Sequence, residues 1–109
     1  FVVGPAIERK MGLSAMSQIA IDANSFYSAE WAKNKGLYTH VFESLGELDK
    51  AVKATAEHLC TYNTEAMLEM KKVFWKGTDD WDELLSERAQ TSGRLVLSDF
   101  TKEKLKGFK

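Results

Sequence analysis

The chain has 109 residues, with 15 Lys and Arg against 16 Asp and Glu and a formal net charge of −1. This length suits one domain or part of one. The near-neutral charge argues against a nucleic-acid-binding module, which normally carries a clear excess of Lys and Arg. The single cysteine, Cys60, excludes an internal disulfide framework. No run approaches the ~18 apolar residues of a transmembrane helix, and no signal-peptide layout opens the chain. We therefore expect a soluble cytoplasmic protein without membrane contact.

The composition predicts a mainly α fold, because Ala, Leu, Met, Lys and Glu are frequent and proline occurs once. Pro5 suits the first turn of a short helix that Gly12 ends. Ser14 then caps a second segment, in which Ala15, Met16 and Ile19 share a face.

The residues from Ser28 onward predict a short helix followed by one strand. Ser28 is a good N-cap for a helix of about 29 to 35, and Gly36 supplies a left-handed residue at its end. The stretch Thr39 to Phe42 is rich in β-branched and aromatic residues, which favours a strand. A lone strand needs a sheet, and nothing else in the sequence supplies one. The chain also begins at Phe1 in an apolar stretch, so we expect residues 1–109 to be one segment of a longer protein.

The remaining residues predict four amphipathic helices. Asn63 or Thr64 starts the second of these, Thr78 with Asp79 starts the third, and Ser98 caps the last. Apolar residues recur at helical spacing along each helix. In order, they are Leu48, Val52, Thr55 and Leu59; Ala66, Met67, Met70, Val73 and Phe74; Trp81, Leu85, Ala89, Ser92 and Val96; and Phe100, Leu105 and Phe108.

No set of residues in the sequence forms a catalytic or metal-binding constellation. His40 and His58 have no cysteine or paired carboxylate at metal-ligand spacing, which argues against a zinc site. Cys60 lies beside an apolar stripe, so we interpret it as a small core residue. The acidic residues 79, 80, 82 and 83 lack the pattern of a calcium loop and suit a helix N-terminus. The three tryptophans fall in or near apolar stripes and are interpreted as core or interface anchors.

One set of residues suggests a ligand contact. Lys102, Lys106 and Lys109 surround Phe108, and an aromatic ring beside ammonium groups can hold a purine and nearby phosphates. There are two alternatives. The lysines can simply form a solubilising face on a terminal helix, and Phe108 can fill the core of an oligomer. Residue chemistry alone leaves these readings open.

A longer pattern resembles the enoyl-CoA hydratase/isomerase (crotonase) family. The residues from Ser28 to Val41, Ser-Ala-Glu-Trp-Ala-Lys-Asn-Lys-Gly-Leu-Tyr-Thr-His-Val, are similar to that family's Ser-Ala-x-x-Ala-x-x-x-Gly-Leu-Val-x-x-Val stretch. Upstream, Arg9, Gly12 and Ala15 are similar to the Arg, Gly and Ala of that family's helix start. Downstream, the similarity continues through Thr64–Glu65–Ala66, Lys71–Lys72, Glu87, Ser98–Asp99 and Gly107–Phe108–Lys109. The segment 22–27 and Tyr38 depart from the family pattern.

The resemblance implies that residues 1–109 are the C-terminal helical and oligomerisation region of a ββα-spiral α/β enzyme, which assembles as a trimer or a dimer of trimers. Such enzymes act on acyl-CoA thioesters through an enolate held by an oxyanion hole. The hole and the catalytic carboxylates would lie in the N-terminal half, so no catalytic residue carries over. Acyl-CoA enters as substrate, with no tightly bound cofactor. The family's C-terminal phenylalanine, which packs near the coenzyme A adenine, falls on Phe108.

Two other readings stay open at this stage. The chain could come from a family member that has lost catalysis and acts as a binding or scaffolding protein. It could also be an independent helical interaction module unrelated to the family, which would be a folded monomer without affinity for acyl-CoA.

Overall fold

Six helices make up most of the chain in a computed structural model that describes residues 1–108. They are α1 (Gly4–Ile21), α2 (Ala29–Asn34), α3 (Leu45–Leu59), α4 (Thr64–Phe74), α5 (Trp81–Val96) and α6 (Asp99–Lys106). The mainly α class predicted from composition is confirmed. No helix in this part of the chain is both long and apolar enough to cross a membrane.

A sharp kink divides α1 at the glycine that the sequence predicted as a helix end. Gly12 has φ 79° and ψ 161° inside an otherwise helical run. A positive φ costs an L-residue with a side chain but is readily adopted by glycine. The kink turns the second half of α1 back on the first, so that a Cβ built on Gly4 would lie 4.0 Å from the sulfur of Met16.

Local hydrogen bonds define both ends of α2. The Ser28 hydroxyl oxygen accepts a hydrogen bond from the Trp31 N–H at 3.0 Å, which confirms the predicted N-cap. At the other end, the Leu37 N–H donates to the Ala32 carbonyl and the Gly36 N–H donates to the Lys33 carbonyl. These two bonds form a Schellman motif, whose left-handed residue is Gly36 with φ 88°.

Side-chain caps also fix the starts of three later helices. The Ser44, Asn63 and Ser98 side chains accept hydrogen bonds from backbone N–H groups in the first turns of α3, α4 and α6. The predicted starts at Asn63 and Ser98 are confirmed. The predicted start at Thr78 is wrong, because the Thr78 hydroxyl donates to the Trp75 carbonyl at 2.7 Å and so closes the preceding turn. Asp80 is the N-cap of α5 instead.

The predicted strand at Thr39 to Phe42 is absent from the described part of the chain. Residues 38–42 form an irregular connection between α2 and α3. A strand exists only where its backbone groups pair with a neighbouring strand, and residues 1–108 supply no such neighbour. The β-branched and aromatic side chains lie instead beside the apolar face of α3.

A long-range contact joins α1 to the end of α4. The Arg9 guanidinium donates hydrogen bonds to the carbonyl of Phe74 and, at 2.8 Å, to the carbonyl of Lys76. The last carbonyls of a helix have no partner within that helix and carry the negative end of its dipole. Arg9 therefore supplies both hydrogen bonds and charge at the end of α4.

The buried core is small. Among residues 1–108, its buried apolar residues are Met11 and Ala15 of α1 and Ala32 of α2, each 6–9% exposed. The apolar stripes of α3 and α4 remain exposed; Leu48 is 41%, Val52 59% and Val73 68% exposed. The accessible surface is 9373 Å², against about 6,100 Å² for a compact protein of this mass. The radius of gyration is 18.5 Å, against about 13 Å for a compact domain of this length. The helices therefore expose apolar faces that a closed fold would bury.

Replacing Gly36 with alanine should destabilise the chain more than replacing Gly77. Both glycines have positive φ, but only at Gly36 would the new Cβ lie 2.9 Å from the Lys10 carbonyl oxygen. We expect Gly77→Ala to lower the free energy of unfolding by about 1 kcal/mol and Gly36→Ala by about 2–4 kcal/mol. Urea unfolding followed by circular dichroism measures both. Equal effects would contradict the close contact.

Replacing Arg9 with methionine should lower the free energy of unfolding by about 1–2 kcal/mol. The substitution keeps a long side chain but removes two charge-assisted hydrogen bonds to the end of α4, at a partly solvated site. Arg94→Met is the matched control, because Arg94 is an exposed residue in the last turn of α5. Equal urea midpoints for the two variants would contradict a stabilising role for Arg9.

Candidate functional site

The predicted ligand contact lies on α6 and just beyond its end. Gly107 is the C-cap of α6, and Phe108 follows it with its N–H donating to the Leu105 carbonyl at 3.1 Å. The Phe108 side chain is 83% exposed. Phe108 therefore presents an open aromatic face at the end of the helix.

The two described lysines of the predicted contact pair with acidic neighbours on their own helix. The Lys102 ammonium lies 3.6 Å from the Asp99 carboxylate, and the Lys106 ammonium contacts the Glu103 carboxylate. In each ion pair, the lysine and the carboxylate residue lie three positions apart and are exposed. Each pair therefore contributes little to stability, and each lysine can exchange its carboxylate for a ligand anion. Lys109, the third predicted lysine, lies outside the described residues.

The aromatic ring that receives a cation on α6 is Phe100. The Lys104 ammonium lies 5.8 Å from the centre of the Phe100 ring, within the range of a cation–π contact. No such contact to Phe108 occurs within residues 1–108. Sequence reasoning overlooked this pair, although the four-residue spacing of Phe100 and Lys104 places them on one helix face.

The surface of α6 can hold an anionic ligand only weakly. Lys102, Lys104 and Lys106 against Asp99 and Glu103 leave one net positive charge on the described helix. The two aromatic rings are both exposed, Phe100 at 73% and Phe108 at 83%. This arrangement suits a ligand whose ring stacks on an exposed phenylalanine. The lysines add only a weak attraction to its phosphates, because solvent and salt screen exposed charges.

The histidines and the cysteine do not assemble into a reactive group. Cys60 is exposed at the C-cap of α3, so its interpretation as a core residue is wrong. The apolar stripe of α3 is itself exposed, and no layer covers it. His58 is exposed near the same helix end, and the His40 ring lies 6.0 Å from that of Phe42. Within residues 1–108, no three His, Cys, Asp or Glu side chains converge as metal ligands.

The acidic cluster and two tryptophans lie around the turn between α4 and α5. Asp82 and Glu83 occupy the first turn of α5, as predicted from the helix dipole. The Trp75 and Trp81 rings meet edge to face with their centres 5.9 Å apart. Trp81 is half-buried, whereas Trp75 is 51% exposed. Trp81 thus anchors this turn, and Trp75 keeps a free surface.

An apolar surface groove flanks the connection between α2 and α3. Its lining includes Tyr38, Phe42, Leu45, Leu48 and Val52, and it extends along α3 as far as Leu59. The groove's lining also includes His40, Glu43 and Ser44, and the Ser44 hydroxyl serves there as the N-cap of α3. The groove is the exposed stripe of α3 together with the segment predicted as a strand.

A tyrosine with a perturbed pKa lies between α1 and α2. The Tyr27 hydroxyl donates to the Asp22 carboxylate at 3.0 Å, and its ring packs 4.4 Å from that of Trp31. Partial burial and the adjacent Asp22 carboxylate raise the pKa of Tyr27, because both disfavour the phenolate. Both residues lie in the segment 22–27, which departs from the crotonase pattern.

Comparisons with protein-family models, with curated proteins and with solved structures give no match for this chain.

Alkaline titration should show a delayed ionisation of Tyr27. Partial burial and the Asp22 carboxylate raise the pKa of Tyr27 from its ordinary value. Folding favours the protonated phenol, so the stabilisation from Tyr27 is complete below pH 10 and is lost as the pH rises through its folded pKa. Absorbance of phenolate follows the titration. Tyr27→Phe should remove the most alkaline step, and its persistence in that variant would assign the step elsewhere.

Proposed function

We propose that the chain is the C-terminal helical region of an enzyme of the enoyl-CoA hydratase/isomerase family. In this proposal, the helices mediate homo-oligomerisation into a trimer or a dimer of trimers and cover the acyl-CoA pocket. The chemistry, stabilisation of a thioester enolate by two backbone N–H groups, belongs to the preceding half of the enzyme. The chain itself contributes contacts and no catalytic residue.

The exposed apolar surface carries the proposal. The chain exposes roughly 3,000 Å² more than a compact protein of its mass would. Specific interfaces bury about 1,200–2,000 Å² in total, and larger permanent ones bury 2,000 Å² or more. The stripes of α3 and α4 are continuous apolar faces of the kind that mark contact surfaces. Contact with other subunits, or with the rest of the same enzyme, would bury this excess accessible surface.

The residues that carry the family resemblance have structural roles that support the proposal. Ser28 caps α2, Gly36 ends it in close contact with α1, and Gly12 turns α1. Ser98 caps α6, because its hydroxyl oxygen accepts a hydrogen bond from the Thr101 N–H.

The nucleotide contact of the proposal rests on Phe108. Its exposed ring can stack on an adenine, and the Lys102 and Lys106 ammonium groups can leave their surface carboxylate partners for the phosphates. In the oligomer, that adenine could belong to coenzyme A bound by a neighbouring subunit.

Replacement of Phe108 with alanine in the full-length enzyme tests this role. Stacking contributes about 1–3 kcal/mol per base, by analogy with nucleic-acid sites, so the KM for crotonyl-CoA should rise about 5- to 160-fold. The oligomer, measured by light scattering, should stay intact. Phe26→Ala is the control, because Phe26 is a fully exposed phenylalanine in the connection between α1 and α2, outside the candidate site, and it should leave KM unchanged.

Two outcomes would count against the proposal. Dissociation of the Phe108→Ala oligomer with unaltered affinity per subunit would assign Phe108 to the interface instead. A monomeric protein that binds no acyl-CoA would exclude the family role altogether and leave an independent helical module.

A further inference from the structure

The kink in α1 creates a groove between the two halves of that helix. Because Gly12 turns the chain back on itself, residues from both halves line one cleft of about 510 Å³. The cleft lies within the range of roughly 300–1,000 Å³ that small-molecule sites occupy. Its apolar lining comes from Val3, Ile7, Met16, Ile19 and Ala20.

Among the described residues that line this groove, Arg88 of α5 is the one with a charged side chain. A Cβ built on Gly4, at the start of α1, would lie 4.0 Å from the Arg88 guanidinium. Arg88 is half-buried, and within residues 1–108 it forms no ion pair with a carboxylate. Glu8 and Asp80 lie in the cleft on its other side, beyond ion-pair distance. Because Arg88 is half-buried, its attraction for an anion bound in the groove is screened less than in open solvent.

We propose that this groove binds an unbranched aliphatic carboxylate. The hydrocarbon tail would lie between the two halves of α1, where it buries apolar surface against Ile7, Met16 and Ile19. The carboxylate would pair with the planar guanidinium of Arg88, which can donate two parallel hydrogen bonds to it. One cation at the end of an apolar cleft matches one anionic head on an apolar tail.

The charge around the groove favours a monoanion over a phosphate. The neighbouring cation, Arg9, already donates to the carbonyls of Phe74 and Lys76. On the far side of Arg88, Glu8 and Asp80 line the adjoining cleft and would repel a second negative charge. The site lies on α1 and α5, away from Phe108, so it stands independently of the proposed function.

Calorimetric titration of the intact chain with decanoate and with 1-decanol tests the site. Decanoate should bind the unaltered chain at least tenfold more tightly than 1-decanol, because only the carboxylate pairs with Arg88. Arg88→Gln should abolish that preference, whereas the control Arg94→Gln should keep it. Affinity should also rise from hexanoate to decanoate by up to about fourfold per methylene.

Equal binding of decanoate and 1-decanol to the unaltered chain would overturn the proposal, as would undetectable binding of decanoate. This comparison needs no substitution, so it decides the matter even if Arg88→Gln fails to fold. A preference for decanoate that survives Arg88→Gln in a folded variant would also refute the role of Arg88.

Discussion

The two hydrogen bonds from Arg9 to the end of α4 are the constraint on which the arrangement of the helices depends. They connect residues more than sixty positions apart in the sequence. The three residues that follow Arg9 add the other contacts of the same turn. The Lys10 carbonyl meets Gly36, Met11 enters the core and Gly12 kinks the helix. One turn of α1 thus positions α2, α4 and its own second half.

The remaining helices depend far less on contacts within the chain. Caps at Ser44, Asn63 and Ser98 fix where α3, α4 and α6 begin, but their apolar faces meet little besides solvent. Isolated helices of this length are marginal in water, because most helix stability in proteins comes from packing of an apolar face. The stability of α3 and α4 is therefore coupled to whatever covers them, and it rises with the concentration of that partner.

Sequence reasoning succeeded where a local signal sets the structure. Ser28, Asn63 and Ser98 cap helices through hydrogen bonds to residues three positions away, and Gly12 and Gly36 adopt backbone angles that glycine favours. It failed where the outcome depends on distant residues. Within residues 1–108, the predicted strand at residues 39–42 has no pairing partner and no layer covers Cys60, whereas the half-buried position of Arg88 depends on α1. The candidate site shows the same division: the helix carrying Lys102 and Lys106 was predicted, whereas their carboxylate partners and the Phe100–Lys104 contact were not.

The edge-to-face pair of Trp75 and Trp81 gives the molecule a built-in optical reporter. Two indoles packed edge to face, with centres 5.9 Å apart, contribute to the near-ultraviolet circular dichroism, a signal that is lost when side-chain packing loosens even where helix content is retained. The pair spans the turn on which Arg9 docks, so this signal follows the geometry of the α4–α5 turn separately from total helix content. Loosening of the turn is thereby visible while all six described helices persist.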